Sequence, residues 1–260
     1  MESAMHVPEN RFKRGLKEGR LQLGLWSSLA QSLSVEILAD AGFDWLLLDT
    51  EHAPNELPMV VAQLQAAKGG SAQPIVRPPW NDTVVLKRYL DAGVQSFLIP
   101  YVQSATEAER AVAATRYPPR GVRGFASASR ASGYGRMRDY FQSCEKEICV
   151  LVQIESRAGL DALEAIAAVE GVDGIFIGPG DLSADMGHLG EPAHPEVCAA
   201  IEGAVSRIKA SGSVAGILTG RPDLVERYIA LGCLFVAVGS DVGILASGAD
   251  RLVAQYKKPG

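Results

Sequence analysis

Eight short apolar runs recur along the chain, separated by longer stretches in which apolar residues return with helical spacing. The runs cover residues 21–26, 45–49, 74–78, 96–100, 149–154, 174–178, 214–218 and 234–239. They are apolar along most of their length, not only at every second position. That pattern suits strands covered on both faces, as in parallel sheets. Between them the spacing predicts helices over residues 33–41 (behind a Ser32 cap), 56–68, 83–92 (behind Asp82), 104–116, 157–169, 195–210, 222–231 and 242–256. Several begin with Ser, Thr, Asp or Pro, which are start signals. Three end in Ala41-Gly42, Ala92-Gly93 and Leu231-Gly232, where glycine suits a left-handed cap. Eight strand–helix units predict an α/β fold, a TIM (β/α)8 barrel, with residues 1–260 as one domain. Each crossover is expected to be right-handed.

Composition narrows the class. Of the 260 residues, 47% are hydrophobic and 21% charged, the balance of a soluble globular chain with a sizeable core. The formal net charge of −5, with no basic stripe, argues against a nucleic-acid partner. Strand-length apolar runs argue against a membrane span. The polar start, through Lys13, lacks the apolar core of a signal peptide and is expected to be disordered around His6. Cys144, Cys149, Cys198 and Cys233 form no C-x-x-C pair, so reduced thiols in the cytoplasm are expected.

Residues 117–146 break the rhythm. They are rich in Gly, Arg, Ser and Tyr, and carry Arg120, Arg123 and Arg130. A long irregular stretch inside a domain is often functional. One reading lets Arg123 or Arg130 grip a distal carboxylate of a substrate; the other is a surface excursion.

In a barrel of this kind the chemistry gathers at the C-terminal strand ends. Those ends carry Trp26, the string Asp49-Thr50-Glu51-His52, Arg77, Gln153 with Glu155, Gly180-Asp181, Leu218-Thr219 and Ser240-Asp241. Glu155 and Asp181 follow adjacent strands, so both carboxylates can reach one Mg2+ or Mn2+; alternatively each caps the helix that follows. Asp49 and His52 can form a carboxylate–imidazole dyad able to move a proton; alternatively His52 is structural. Arg77 can hold a carboxylate or enolate oxygen, pair with Asp49 or Glu51, or do both. No lysine stands at a strand end, which favours a metal over an imine as electron sink.

The strings LLLDTEHAP (46–54), VQIES (152–156) and IGPGDLSADMGHLG (177–190) resemble the HpcH/HpaI aldolase family over residues 10–256. Members include 4-hydroxy-2-oxoheptane-1,7-dioate and 2-dehydro-3-deoxyglucarate aldolases. The resemblance implies a metal-dependent lyase that reversibly cleaves 4-hydroxy-2-oxo acids to pyruvate and an aldehyde, with a place in aromatic-compound catabolism. It implies Glu155 and Asp181 as ligands of Mg2+, Mn2+ or Co2+, His52 as base with Asp49 as its partner, and Arg77 on the pyruvate C2 oxygen. It also implies that Gln153 lines the site, that Gly180 and Asp181 present backbone N–H groups to the pyruvate carboxylate, and that Trp26 and Leu218 shape the pocket. A homo-oligomer, a hexamer, is implied, with the helix at 242–256 packing on a neighbouring subunit. Family members often carry alanine where this chain has Gly180, which is expected to widen the pocket slightly. The rival reading is a citryl-CoA-type lyase on the same barrel. A phosphate-binding isomerase, using Gly239-Ser240 before a helix start, and a ligand-binding barrel without catalysis complete the alternatives.

Overall fold

The computed structural model describes residues 5–257. All eight runs are strands: β1 (Gln22–Ser27), β2 (Trp45–Asp49), β3 (Gln73–Arg77), β4 (Ser96–Ile99), β5 (Cys149–Ile154), β6 (Gly174–Ile177), β7 (Ala215–Leu218) and β8 (Phe235–Ser240). Each pairs in parallel with the next, and β8 closes on β1. The helices are α1 (Arg11–Lys17), α2 (Ser32–Ala39), α3 (Leu57–Ala66), α4 (Thr83–Asp91), α5 (Ala105–Ala114), α6 (Tyr140–Ser143), α7 (Arg157–Asp161), α8 (Leu163–Ala167), α9 (Pro179–Asp185), α10 (Pro195–Ala210), α11 (Pro222–Leu231) and α12 (Asp241–Tyr256). The fold is the expected TIM barrel.

Strand parity decides what reaches the mouth. Side chains alternate across a strand with a period of two. On β2, Leu46 and Leu48 join the apolar layer between barrel and helices, with Val76, Val152, Ile175 and Val236. Trp45 and Leu47 instead join the inner core, with Trp26, Ile75, Leu151, Phe176 and Phe235. The same count turns Asp49, Arg77 and Gln153 inward, each at the last inward-facing position of its strand. Two glycines make this interior possible. A Cβ on Gly24 would stand 2.1 Å from the Trp45 ring, and one on Gly216 would stand 2.2 Å from the Phe235 ring.

The lower end of the barrel is closed by α1, an element the polar pattern at the chain's start did not predict. Asn10 caps it by accepting from the Lys13 N–H, and Phe12 points into the barrel, fully buried. Its ring meets those of Trp45 and Phe235 edge-on, with centroids 6.0 and 5.9 Å away. Three other helix expectations change. Ser32 is the first residue of α2, not its cap, and Gln31 in the cap position makes no side-chain bond. The helix expected over 157–169 is two, α7 and α8, with Ala162 between them leaving helical geometry. Between β6 and α10 lies the extra helix α9. The left-handed glycines are as expected, with φ of 97° at Gly42, 95° at Gly93 and 106° at Gly232.

Candidate active site

The register of the sheet sets Asp49 directly beside Arg77 on β3. Arg77 grips that carboxylate with both edges of its fork, Nε to Oδ1 at 2.9 Å and Nη2 to Oδ2 at 2.7 Å. Trp26 Nε1 also donates to Asp49 Oδ2, at 3.3 Å, and the Glu51 N–H to Oδ1, at 3.0 Å. The guanidinium lies 5.0 Å over the Trp26 ring, and Glu51 Oε2 lies 2.9 Å from Nη1. Both partners of the Arg77–Asp49 pair are buried. Burial alone would raise the Asp49 pKa, but the Arg77 hydrogen bonds and charge hold it below its usual value. A buried ion pair is costly to desolvate and holds only when its hydrogen bonds are made. Here they are, so the guanidinium is fixed in one plane at the barrel mouth.

Glu155 follows β5 and is also buried. Its Oε1 accepts from the Tyr101 N–H at 2.8 Å and its Oε2 accepts from Gln153 Nε2. Tyr101 has a left-handed backbone, φ 54°, unusual for a residue with a Cβ. Burial pushes the Glu155 carboxyl up to about 7, aided by the negative charges of Asp181 and Glu51 and opposed by the Gln153 and Tyr101 bonds. Asp181 stands in the first turn of α9, exposed, and makes no side-chain hydrogen bond among the described residues. The carboxylates of Glu51, Glu155 and Asp181 all act on one another, with Arg77 the cation nearest to hand.

Such a cluster has more negative charge than its own residues neutralise. Oxygen donors around a buried carboxylate are the set that a hard divalent cation takes. Two further details fit one. Gln153 Oε1 is buried with no partner. At Gly178 the backbone passes so close that a Cβ would stand 2.6 Å from Glu155 Oε2. The capping alternative fails for both carboxylates. Ser156 caps α7 by accepting from the Gly159 N–H, and Gly178 holds the cap position of α9.

The expected Asp49–His52 dyad is not made. The only contact between the two is the His52 backbone N–H, which donates to Asp49 Oδ1 at 3.4 Å, because Arg77 takes both carboxylate oxygens. The imidazole stands at the rim with its side chain 65% exposed, and its nearest acid is Glu51, 3.9 Å away. Glu51, which the sequence offered only as an ion-pair partner for Arg77, thus touches three parts of the site. No local pattern in the sequence marks Tyr101, two places past β4, as the donor to Glu155.

Beside this cluster a cavity of about 360 Å³ opens between Gly180, Leu218, Thr219, Leu224 and Tyr228. A Cβ on Gly180 would meet nothing within 4 Å, so the position faces open space. A larger cavity, about 600 Å³, lies at the opposite end of the barrel, near Gln73, Gln95 and Ile148 at the strand starts. It is remote from the carboxylates. Residues 117–146 lie at that end too, joining the end of α5 to the start of β5. Arg123 is buried between the rings of Tyr117 and Tyr140 and bonds Asp91, and Arg130 bonds the carbonyl of Ala92. Both are thus engaged within the chain and lie away from the mouth of their own barrel, so within one chain neither grips a distal carboxylate of the substrate.

Comparison with known proteins finds relatives over nearly the whole chain. The family described as HpcH/HpaI aldolase/citrate lyase matches residues 22–248. A pyruvate aldolase of Rhizobium etli is 53% identical over 252 residues, 97% of this chain and 99% of the relative. A 4-hydroxy-2-oxo-heptane-1,7-dioate aldolase of Escherichia coli is 55% identical over 249 residues, 95% of each chain. The crystal structure of an HpcH/HpaI aldolase/citrate lyase family protein from Burkholderia cenocepacia superposes with a TM-score of 0.93. It is 37% identical and covers 96% of this chain and 100% of its own.

Proposed function

The chain belongs to the HpcH/HpaI aldolase/citrate lyase family and is an aldolase, a carbon–carbon lyase, and from that premise we propose that it reversibly cleaves 4-hydroxy-2-oxo acids to pyruvate and an aldehyde at the Arg77–Glu155–Asp181 cluster. The observation that carries the proposal is the unneutralised carboxylate group beside a fixed guanidinium. Glu155 and Asp181 are the residues that would hold a divalent cation, Mg2+, Mn2+ or Co2+. When bound, that ion supplies Lewis-acid polarisation of the 2-oxo group.

The remaining chemistry belongs to the chain's own residues. A guanidinium has five N–H donors, and Asp49 takes two of them. The donors left on Nη1 and Nη2 hold the pyruvate C2 oxygen as it becomes an enolate oxygen. Asp49, acting through Arg77, is a positioning residue. The backbone N–H groups of Gly180 and Asp181, in the first turn of α9, have no intrahelical acceptor and suit the pyruvate carboxylate. Trp26 and Leu218 wall the pyruvate methyl end, and Gln153 holds Glu155 in place. In the cleavage direction His52 takes the proton from the C4 hydroxyl, the C3–C4 bond breaks, and the aldehyde leaves. The enolate carbon C3 then takes a proton to give pyruvate. Glu51, not Asp49, is the acid that attends the imidazole.

Two further properties belong to the proposal. The apolar face of α12 stays uncovered in the single chain, with Leu245 62% and Leu252 61% exposed, and a homo-oligomer, a hexamer, would bury it. The four cysteines are free and buried, and no described helix is long and apolar enough to cross a membrane. Both fit work in the cytoplasm.

The test is exchange of the pyruvate methyl protons for deuterium, followed by NMR in D2O with Mg2+ or Mn2+ present. This reads enolate formation without knowing the aldehyde. Exchange well above the buffer rate is expected, and Arg77→Lys should slow it about 10²–10³-fold, the usual cost of one oxyanion donor. A wild-type rate equal to buffer overturns the proposal, and so does an Arg77→Lys rate equal to wild type.

A further inference from the structure

Beyond the far end of α9 lies a second group of metal-ligating side chains that the aldolase reaction does not use. His188 follows α9, His194 is the cap residue of α10, and Glu196 stands in the first turn of α10. Their ligand atoms all lie within 4.8 Å of one another. The two imidazoles stack with centroids 3.6 Å apart and planes 17° from parallel. His188 Nε2 faces Glu196 Oε2 at 2.9 Å, and His194 Nδ1 accepts from the Glu196 N–H at 3.3 Å.

We propose that His188, His194 and Glu196 form a second cation site, for a first-row transition ion such as Zn2+, which staples the β6–α10 connection to the start of α10. Three features of the cluster point the same way. The first is the donor set. Two imidazole nitrogens and one carboxylate oxygen suit Zn2+, whereas the all-oxygen Glu155–Asp181 pair suits harder ions. The second is spacing. Ligands about 2.0–2.1 Å from a tetrahedral ion stand roughly 3.3 Å from one another. The His188–Glu196 separation needs to open by only a few tenths of an ångström. The His194 ring must turn out of the stack to bring its nitrogen into line, and the bond it gives up is a long one. The third is place in the chain. Two residues of the cluster close the loop that follows α9, and α9 carries Asp181. Arg157, which bonds the Met186 carbonyl, is the nearest competing cation for Glu196. Water completes the coordination.

The test is the number of Zn2+ ions retained after equilibrium dialysis, read by elemental analysis, together with the Zn2+-induced rise in Tm. The chain with Glu155→Gln and Asp181→Asn isolates the new site from the proposed catalytic one. It should retain one Zn2+ per chain and gain Tm with the metal. Adding His188→Gln or His194→Gln should remove both the ion and the gain. If the double variant fails to fold, the same difference of one equivalent is read between the wild-type chain and its His188→Gln variant. Equal Zn2+ content with and without the histidines overturns the proposal. It does so whether or not pyruvate exchange is observed, because the readout does not pass through catalysis.

Discussion

Gly178 is where backbone and carboxylate come closest. A methyl group there would collide with Glu155 Oε2 at 2.6 Å and with Gln153 Nε2 at 2.9 Å. Gly180, two residues on, faces open space. The pair therefore separates two effects of the same small change. Gly178→Ala should displace Glu155 and weaken Mn2+ binding about tenfold or more, the scale of losing support around a ligand. Gly180→Ala should leave Mn2+ binding unchanged, while narrowing the cavity beside Leu218. Titration of Mn2+ into each variant reads the difference, and equal affinities would refute the steric account.

Residue types at the mouth were legible because strand ends are where a barrel places its chemistry, and the strings there resemble one family. Their partnerships were less so. Asp49 and His52 are three residues apart, and local spacing suggested a dyad. The competing partner, Arg77, is 28 residues away in sequence, and only the β2–β3 register brings it alongside. A bidentate guanidinium then outcompetes an imidazole for the same two oxygens.

Among the elements, the strands were the most readable, because burial on both faces leaves an unbroken apolar run. The helix α1 was not. It is one short amphipathic piece in a polar stretch, with Gly15 inside it and only Phe12 and Leu16 as its buried apolar side chains. Its signals, the Asn10 cap and the i, i+4 pair, are weak alone. Its packing is not weak. Phe12→Ala should cost about 3–5 kcal/mol, as for other fully buried aromatics. Denaturant unfolding at fixed chain concentration checks this, and a loss below about 1 kcal/mol would show that α1 does not close the barrel. The excursion over 117–146 could have been placed by chain logic alone. A segment that leaves a helix and enters a strand lies at the strand starts, opposite the active mouth. Its arginines invite a role in substrate binding; its position in the chain keeps them from the mouth of their own barrel.

At the scale of the whole molecule, α12 is the element that the single chain leaves unfinished. It touches β1 and β8 through its first turn, where Asp241 is buried and bonds the Ser27 hydroxyl and the Ser28 and Leu29 N–H groups. Past Asp241, the side chains of Ile244, Leu245, Leu252 and Val253 are all at least half exposed. Contiguous apolar surface of this kind is typical of interfaces, and the proposed homo-oligomer would cover it. Light scattering should give a mass several times that of one chain, and Leu245→Arg with Leu252→Arg should lower it. A wild-type monomer would contradict an interface at α12.

The proposed mechanism requires a cation held by Glu155 and Asp181, beside Arg77, for cleavage next to a 2-oxo group. Its most direct test is pyruvate release from a 4-hydroxy-2-oxo acid by chelator-treated protein, before and after Mg2+ or Mn2+ is restored, in the wild type and in Glu155→Gln. Activity that disappears with EDTA, returns with metal, and fails to return in Glu155→Gln is the predicted result. Full pyruvate release from protein shown by elemental analysis to be metal-free, or from Glu155→Gln, would contradict it.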